Sequence, residues 1–242
     1  MADWDSLFAR GARREFRVMF STGAFSATFD QDAIVSGSVQ RDLFQGGKLS
    51  AGGTVSKTCD ISIVNPLVNG EETIPRACPF WIYVRLTDGE DVTPWHPLGR
   101  FYLDTRERSA TMPAVLNITG YDAMLIGEQP YYPMGSEITG WPKLDLDVIQ
   151  EICNRIGVEL DQNTEAMLDM AFMIPTPNAG EGGFTVREVL SQIGKMYGGN
   201  WYIDGYDFLC LSVVSDIPTQ GASFLVDEDG NAIKIGGVRI IV

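Results

Sequence analysis

Any reactive chemistry in this chain would have to start from one histidine. His96 lies in Trp95-His96-Pro97, and a Ser-His-Asp or Cys-His unit has no other imidazole to use. No G-x-S-x-G elbow offers it a nucleophile, so the plainer reading is a histidine held between two structural residues. Gly46-Gly47-Lys48-Leu49-Ser50 has the outline of a phosphate loop. It fails because Leu49 stands where Ser or Thr is required and no Gly lies five residues before Gly47. A solvated loop fits better. Asp227-Glu228-Asp229-Gly230-Asn231 echoes a calcium loop, but its Gly is fourth rather than sixth and no Glu follows at the twelfth position. It reads as a tight Asp-Gly turn. Cys59, Cys78, Cys153 and Cys210 are scattered, with no C-x-x-C pair and no histidine cluster. Buried free thiols are expected rather than disulfides or a zinc site. Asp104 and Asp122 each follow a strand-like run and could form the carboxylate pair of a glycosidase. With 32 acidic residues in the chain, however, chance supplies many such pairs. The expectation is therefore no enzyme, no catalytic, cofactor-binding or metal-ligating residue, and no cofactor.

Charge narrows the partners. The 242 residues carry 18 basic and 32 acidic side chains, a net charge of −14. Wrapping nucleic acid needs a concentrated cationic face, so sequence-specific nucleic-acid binding is not expected. No run reaches the ~18 consecutive apolar residues of a membrane-spanning helix. Met1-Ala2-Asp3-Trp4-Asp5 is acidic and lacks the basic and apolar regions of a signal peptide, which points to synthesis in a cytoplasm.

The elements that would position these residues change type along the chain. Trp4, Leu7 and Phe8 fall at helical spacing in a short segment. From Glu15 to about Met124 the pattern is β: Phe16–Phe20, Ala33–Val39, Cys59–Val64, Phe80–Leu86, Phe101–Asp104 and Val115–Thr119 are separated by turn residues. Asp88-Gly89 signals a hairpin after the fourth of these. Such a series suggests a barrel or sandwich. The period then changes. Leu146, Val148, Ile149, Ile152, Cys153 and Ile156 share one helical face, with Asp145 as the expected N-cap and Gly157 as the stop. Thr185-Val186-Arg187-Glu188 is a capping box. It opens a helix with the stripe Val189, Leu190, Ile193, Met196 and Tyr197, stopped by Gly198-Gly199. Asn200–Asp204 and Phe208–Leu211 read as a hairpin across Gly205. The expected fold class is α+β: a mainly β, barrel-like domain over 1–125, an α/β module over 126–211, and returning strands over 212–242. Val238-Arg239-Ile240-Ile241-Val242 needs a strand partner.

Several phrases, in this order, resemble the tail hub proteins of long-tailed phages and prophages, the late control protein D-like baseplate hubs. They are Asp60-Ile61-Ser62-Ile63 with Ile74-Pro75-Arg76-Ala77, then Trp95-His96-Pro97-Leu98-Gly99-Arg100-Phe101-Tyr102-Leu103-Asp104. Ile118-Thr119-Gly120-Tyr121-Asp122-Ala123-Met124-Leu125 follows, and then Thr185–Leu190 with Gly198-Gly199-Asn200-Trp201-Tyr202-Ile203-Asp204. The resemblance implies tail-tube-related β-barrel modules with a helical module inserted. It implies a virion structural protein of the tail tip, assembled as a homotrimer. Its partners would be the tail tube or distal tail protein, the tape-measure protein and a tip or spike protein. Family members are usually longer than this chain. The acidic stretches Asp88-Gly89-Glu90-Asp91 and Asp227-Glu228-Asp229 would then be candidates for a DNA-repelling passage. Two readings from other classes stand beside this one. One is a carbohydrate-binding adsorption module using Trp81, Trp95, Trp141 and Trp201. The other is a tail-associated cell-wall hydrolase using Asp104 and Asp122. The hub reading expects most of those tryptophans to be buried.

Overall fold

The computed structural model describes residues 4–22, 25–41, 50–64, 74–75, 78–109, 114–132, 139–168, 172–175, 183–213, 234–235 and 238–239. The loops at Gly46–Leu49 and Asp227–Asn231, the pair Arg76-Ala77 and the end at Ile240–Val242 lie outside these described residues. Two compact units divide the chain: 1–41, 56–125 and 203–208 form the first, and 42–55, 126–202 and 209–242 the second.

The first unit contains α1 (Trp4–Ala9), β1 (Arg13–Ser21), β2 (Ser26–Phe29) and β3 (Ile34–Gln40). After β4 (Thr54–Val55), which belongs to the second unit, come β5 (Thr58–Val64), β6 (Pro79–Thr87), β7 (His96–Arg108) and β8 (Val115–Tyr121). The seven strands of the first unit make one antiparallel sheet in the order β2-β1-β6-β7-β8-β5-β3. Alternation sets its faces. Phe80, Ile82, Val84 and Leu86 of β6 are buried, while Trp81, Tyr83 and Arg85 between them stay partly exposed. Phe20, Phe80 and Phe101 run through the core with successive ring centroids 4.9 and 5.9 Å apart. Val18, Ile34, Cys59, Ile61, Ile63, Leu103, Leu116 and Ile118 complete it.

Phe16 and Val18 of β1 line the same small apolar cavity as Ile34, Gly37 and Val39 of β3, so the sheet curls. It does not close into the expected barrel among the described residues, because β2 and β3 remain its two edges. The reason is local. β2 pairs only with Val18–Ser21 of β1, and the Phe16 amide donates to the Gln31 side chain at 3.0 Å instead of to a strand. The Asp88-Gly89 turn also differs from a simple hairpin. Thr87 bridges to Val92, and β7 starts only at His96, after which the β6–β7 ladder resumes at Val84↔His96. In α1, Leu7 is fully buried, whereas Phe8 is 56% exposed.

The second unit holds β9 (Lys143–Leu144), α2 (Asp145–Ile156), β10 (Glu159–Leu160), α3 (Gln162–Met167), β11 (Met173–Ile174) and α4 (Val186–Tyr197). β12 (Gly199–Ile203) and β13 (Phe208–Val213) follow, and β14 (Lys234–Ile235) pairs with β15 (Val238–Arg239). A four-stranded sheet runs β10-β13-β12-β4, with β4 parallel to β12. The α4 capping box forms in full: the Glu188 amide donates to Thr185 Oγ1 at 3.2 Å and the Thr185 amide to the Glu188 carboxylate at 2.7 Å. Gly157 and Gly198 end α2 and α4 in the left-handed region, at φ 73° and 68°.

Two expectations here need correction. Asp145 is not the N-cap of α2; Leu144 is, with no side-chain cap. Asp145 is instead the first helical residue, fully buried, and its carboxylate accepts the Tyr197 hydroxyl of α4. Met196 is 44% exposed and off the apolar stripe of α4, whose buried face includes Val186 and Gly194. Trp201 explains the glycine: a Cβ on Gly194 would lie 3.0 Å from its indole. The β12–β13 hairpin turns across Gly205 as expected, with Asp207 as its left-handed residue, at φ 74°. Gly205 is needed for close approach, since a Cβ there would sit 2.3 Å from the Pro97 carbonyl oxygen. No helix among the described residues is long and apolar enough to cross a membrane.

Candidate functional site: a buried lysine–aspartate knot

A polar knot lies inside the first unit. Lys57, just before β5, is 4% exposed, and Asp122, just after β8, is fully buried. Burying a charge is costly unless every polar atom finds a partner. Asp122 meets that demand through three donors: Ser56 Oγ at 2.8 Å, the Lys57 amide at 2.9 Å and the Met124 amide at 3.2 Å. In return the Asp122 amide donates to the Lys57 carbonyl at 3.1 Å. The Lys57 ammonium donates to two main-chain carbonyls, Leu98 at 2.9 Å and Asp204 at 2.7 Å. The Phe101 ring centroid lies 5.7 Å from Nζ.

Glycines make room for this arrangement. Gly99 has φ 146°, and a Cβ on it would lie 2.5 Å from Lys57 Nζ. A Cβ on Gly120 would meet Phe80 at 2.8 Å and the Tyr102 carbonyl at 3.0 Å. The electrostatics follow from enclosure. Burial pushes the Asp122 carboxyl above its ordinary value even though its donors and Lys57 pull the other way. Burial likewise lowers Lys57. Nearby, Asp207 pairs with Arg100 at 2.6 Å, and burial raises its carboxyl too. Such a knot can fix geometry. It offers no free acid, base or nucleophile, because both carboxylate oxygens of Asp122 are already engaged by protein donors.

The other sequence candidates are dispersed. Asp104 is exposed at the β7 bulge between Leu103 and Thr105, so it does not share an environment with enclosed Asp122. His96 is exposed and sits among aromatic rings, with Trp4 at 5.9 Å and Tyr206 at 5.6 Å between centroids. The Tyr206 hydroxyl is 3.3 Å from His96 Nδ1. All four cysteines are free and buried, and burial pushes the Cys59 and Cys153 thiols up to about 12. Of the four tryptophans considered as stacking platforms, only Trp201 is fully buried; Trp81, Trp95 and Trp141 are half-buried. Trp95 lies between two guanidiniums, Arg17 and Arg85, each 4.4 Å from the ring. In the acidic turn, Asp88 Oδ1 accepts the Glu90 and Asp91 amides, and Arg10 bridges Asp88 and Asp91.

The second unit carries a half-exposed counterpart. Glu151 accepts from the Tyr131 hydroxyl at 2.9 Å, Lys143 at 2.8 Å and Arg155 at 2.5 Å. Arg155 also lies 4.4 Å over the Tyr131 ring, and Tyr131, Tyr132 and Trp141 meet edge to face. Neither Lys57 nor this cluster was singled out from the sequence. Only the Gly-bearing phrases around Leu98-Gly99 and Gly120-Tyr121-Asp122 hinted at the first.

No protein-family model matches this sequence, and no curated protein matches it either. Solved structures similar to it are tail proteins and a PdpA-VgrG complex. The 43 kDa tail protein of prophage MuSo2 from Shewanella oneidensis shares 15% identity at a TM-score of 0.49, over 91% of this chain and 61% of that one. The tail protein from Neisseria meningitidis MC58 shares 12% at 0.46, over 90% of this chain and 53% of that one. The Francisella PdpA-VgrG complex in its half-lidded form shares 10% at 0.48, over 82% of this chain and 31% of that one. The chain thus spans about three fifths and one half of the length of the first two.

Proposed function

We propose that this chain is a structural, non-enzymatic subunit of a phage or phage-like tail, acting in the hub or baseplate at the distal end. There it would join the tail tube to the tip and line the DNA passage. The observation that carries the reading is where the hub-like phrases meet. Leu98 and Gly99, Asp122 and Met124, and Asp204 come from three separate phrases and converge on Lys57. The residues they share fix a scaffold, which suits an assembly subunit. The expected partners are further copies of the chain in a homotrimer, the tail tube or distal tail protein, the tape-measure protein and a tip or spike protein. Acidity supports the passage role mainly in the second unit, where 16 acidic residues face 7 basic ones, against 16 and 11 in the first. A wall of that sign repels phosphate within the ~8 Å screening length of physiological salt. The Asp88–Asp91 turn is a weaker candidate for that wall, because Arg10 partly neutralises it.

The test is gold-labelled antibody imaging of tail particles from the induced source strain. Label confined to the distal tip is expected. Normal tails without tip label, under conditions that expose the epitope, overturn the reading. One observation favours the carbohydrate-binding alternative: Trp81 and Tyr83 stack at 6.1 Å on the partly exposed face of β6. Glycan-array binding that disappears in Trp81→Ala would support it.

A further inference from the structure

The two edges of the seven-stranded sheet are guarded very differently. β2 is four residues long and is followed by Asp30, which is ion-paired to Arg17 at 2.5 Å. Short, charged edges of this kind resist pairing with other chains. β3 is seven residues long and reads Ile34-Val35-Ser36-Gly37-Ser38-Val39-Gln40, with neither a charge nor a proline, in a chain that is 21% charged. Among the described residues it pairs with β5 alone. Val35 to Ser38 are exposed, Val35 to 59%, and a Cβ on Gly37 would meet nothing within 4 Å. An unpaired, uncharged strand edge is a template for another strand.

The sequence of that edge says which strand. Val35-Ser36-Gly37-Ser38-Val39 reads the same in both directions, and antiparallel pairing of like with like inverts one copy relative to the other. We infer that in the free subunit β3 pairs with β3 of a second copy of this chain about a twofold axis through Gly37. Gly37 then faces Gly37 and Ser36 faces Ser38, while Val35 lies in the irregular step between Ile34 and Ser36. A twofold of this kind is isologous and closes at two copies. It is a state of the free chain that keeps this edge from pairing with other chains, and it stands independently of the tail reading.

The experiment uses the full chain with single cysteines added. Residues facing each other across an antiparallel pair have Cα atoms about 4.5–5.5 Å apart, inside the disulfide range of roughly 4.4–6.8 Å. Gly37→Cys is expected to give a disulfide-linked species of twice the chain mass under mild oxidation. Thr105→Cys, exposed on β7, is expected to stay at the chain mass, and the four buried native thiols contribute no background. A second test covers any folding defect. Ser36→Lys/Ser38→Lys and Ser36→Glu/Ser38→Glu are each expected to be monomeric in sedimentation velocity, and their mixture is expected to recover the dimer. The inference fails if Gly37→Cys links no better than Thr105→Cys. It also fails if the unsubstituted chain sediments as a monomer or trimer, or if mixing the two charge variants recovers no dimer.

Discussion

The two units solve the same problem, holding ionised side chains in place, by opposite means. In the first, Lys57 and Asp122 are enclosed, and most of their partners are main-chain amides and carbonyls. In the second, Glu151 is only partly covered and is held by three flexible side chains, Tyr131, Lys143 and Arg155. Main-chain partners cannot swing away, so an enclosed group loses all its compensation when its counterpart is removed. Side-chain partners at a surface can turn to water. The lesson is that the kind of partner, fixed main chain or mobile side chain, bears on how much an ion cluster matters for stability.

Asp122→Ala should break this contrast most severely. It orphans the Lys57 and Met124 amides and removes the carboxylate that acts most strongly on the buried Lys57 ammonium. A loss of about 3–5 kcal/mol in urea denaturation is expected. Gly99→Ala comes next. Its φ of 146° is hostile to a side chain, and the new Cβ would strike a lysine pinned by two carbonyls. About 1–3 kcal/mol should be lost, with the β-rich unit affected first in hydrogen exchange.

Titration sharpens the contrast, because the two carboxyls shift in opposite directions. Burial raises Asp122 above 3.8 on folding. The folded chain then holds that proton more tightly, and this group's contribution to stability falls as pH rises through its folded pKa. For Glu151, burial works upward but the hydrogen bonds from Lys143 and Tyr131 prevail, and its pKa lies below 4.5. Its contribution is full above 4.5 and is lost as pH falls through the lower folded value. Carboxyl carbon chemical shifts should place the Asp122 midpoint above the ordinary aspartate range and the Glu151 midpoint below the ordinary glutamate range. Equal shifts of one sign would erase the distinction. The smallest effect belongs to Glu151→Gln, with a cost under about 1 kcal/mol.

How much of this was legible in the sequence depended on the range of the interaction. The strands around Phe80–Leu86 and Cys59–Val64 were readable because alternation is written in neighbouring residues. The α4 capping box was readable because its two reciprocal bonds span three positions. Asp145 misled for the same reason in reverse: an aspartate before an apolar stripe has the local mark of an N-cap, yet Tyr197, 52 residues away, claims its carboxylate. Barrel closure was also a matter of range. The turn residues suggested it, while the Gln31 side chain took the amide that a closing strand would have used.

The sequence by itself determined the β-to-α/β order, the helix stops at Gly157 and Gly198, the buried thiols and the absence of any recognisable catalytic motif. Only the tertiary structure decided that Lys57 is an interior residue, and the physical reason is specific. Its partners are the carbonyls of Leu98 and Asp204, 41 and 147 positions away. Every residue has a carbonyl, so no side-chain pattern could mark which two would be brought to it.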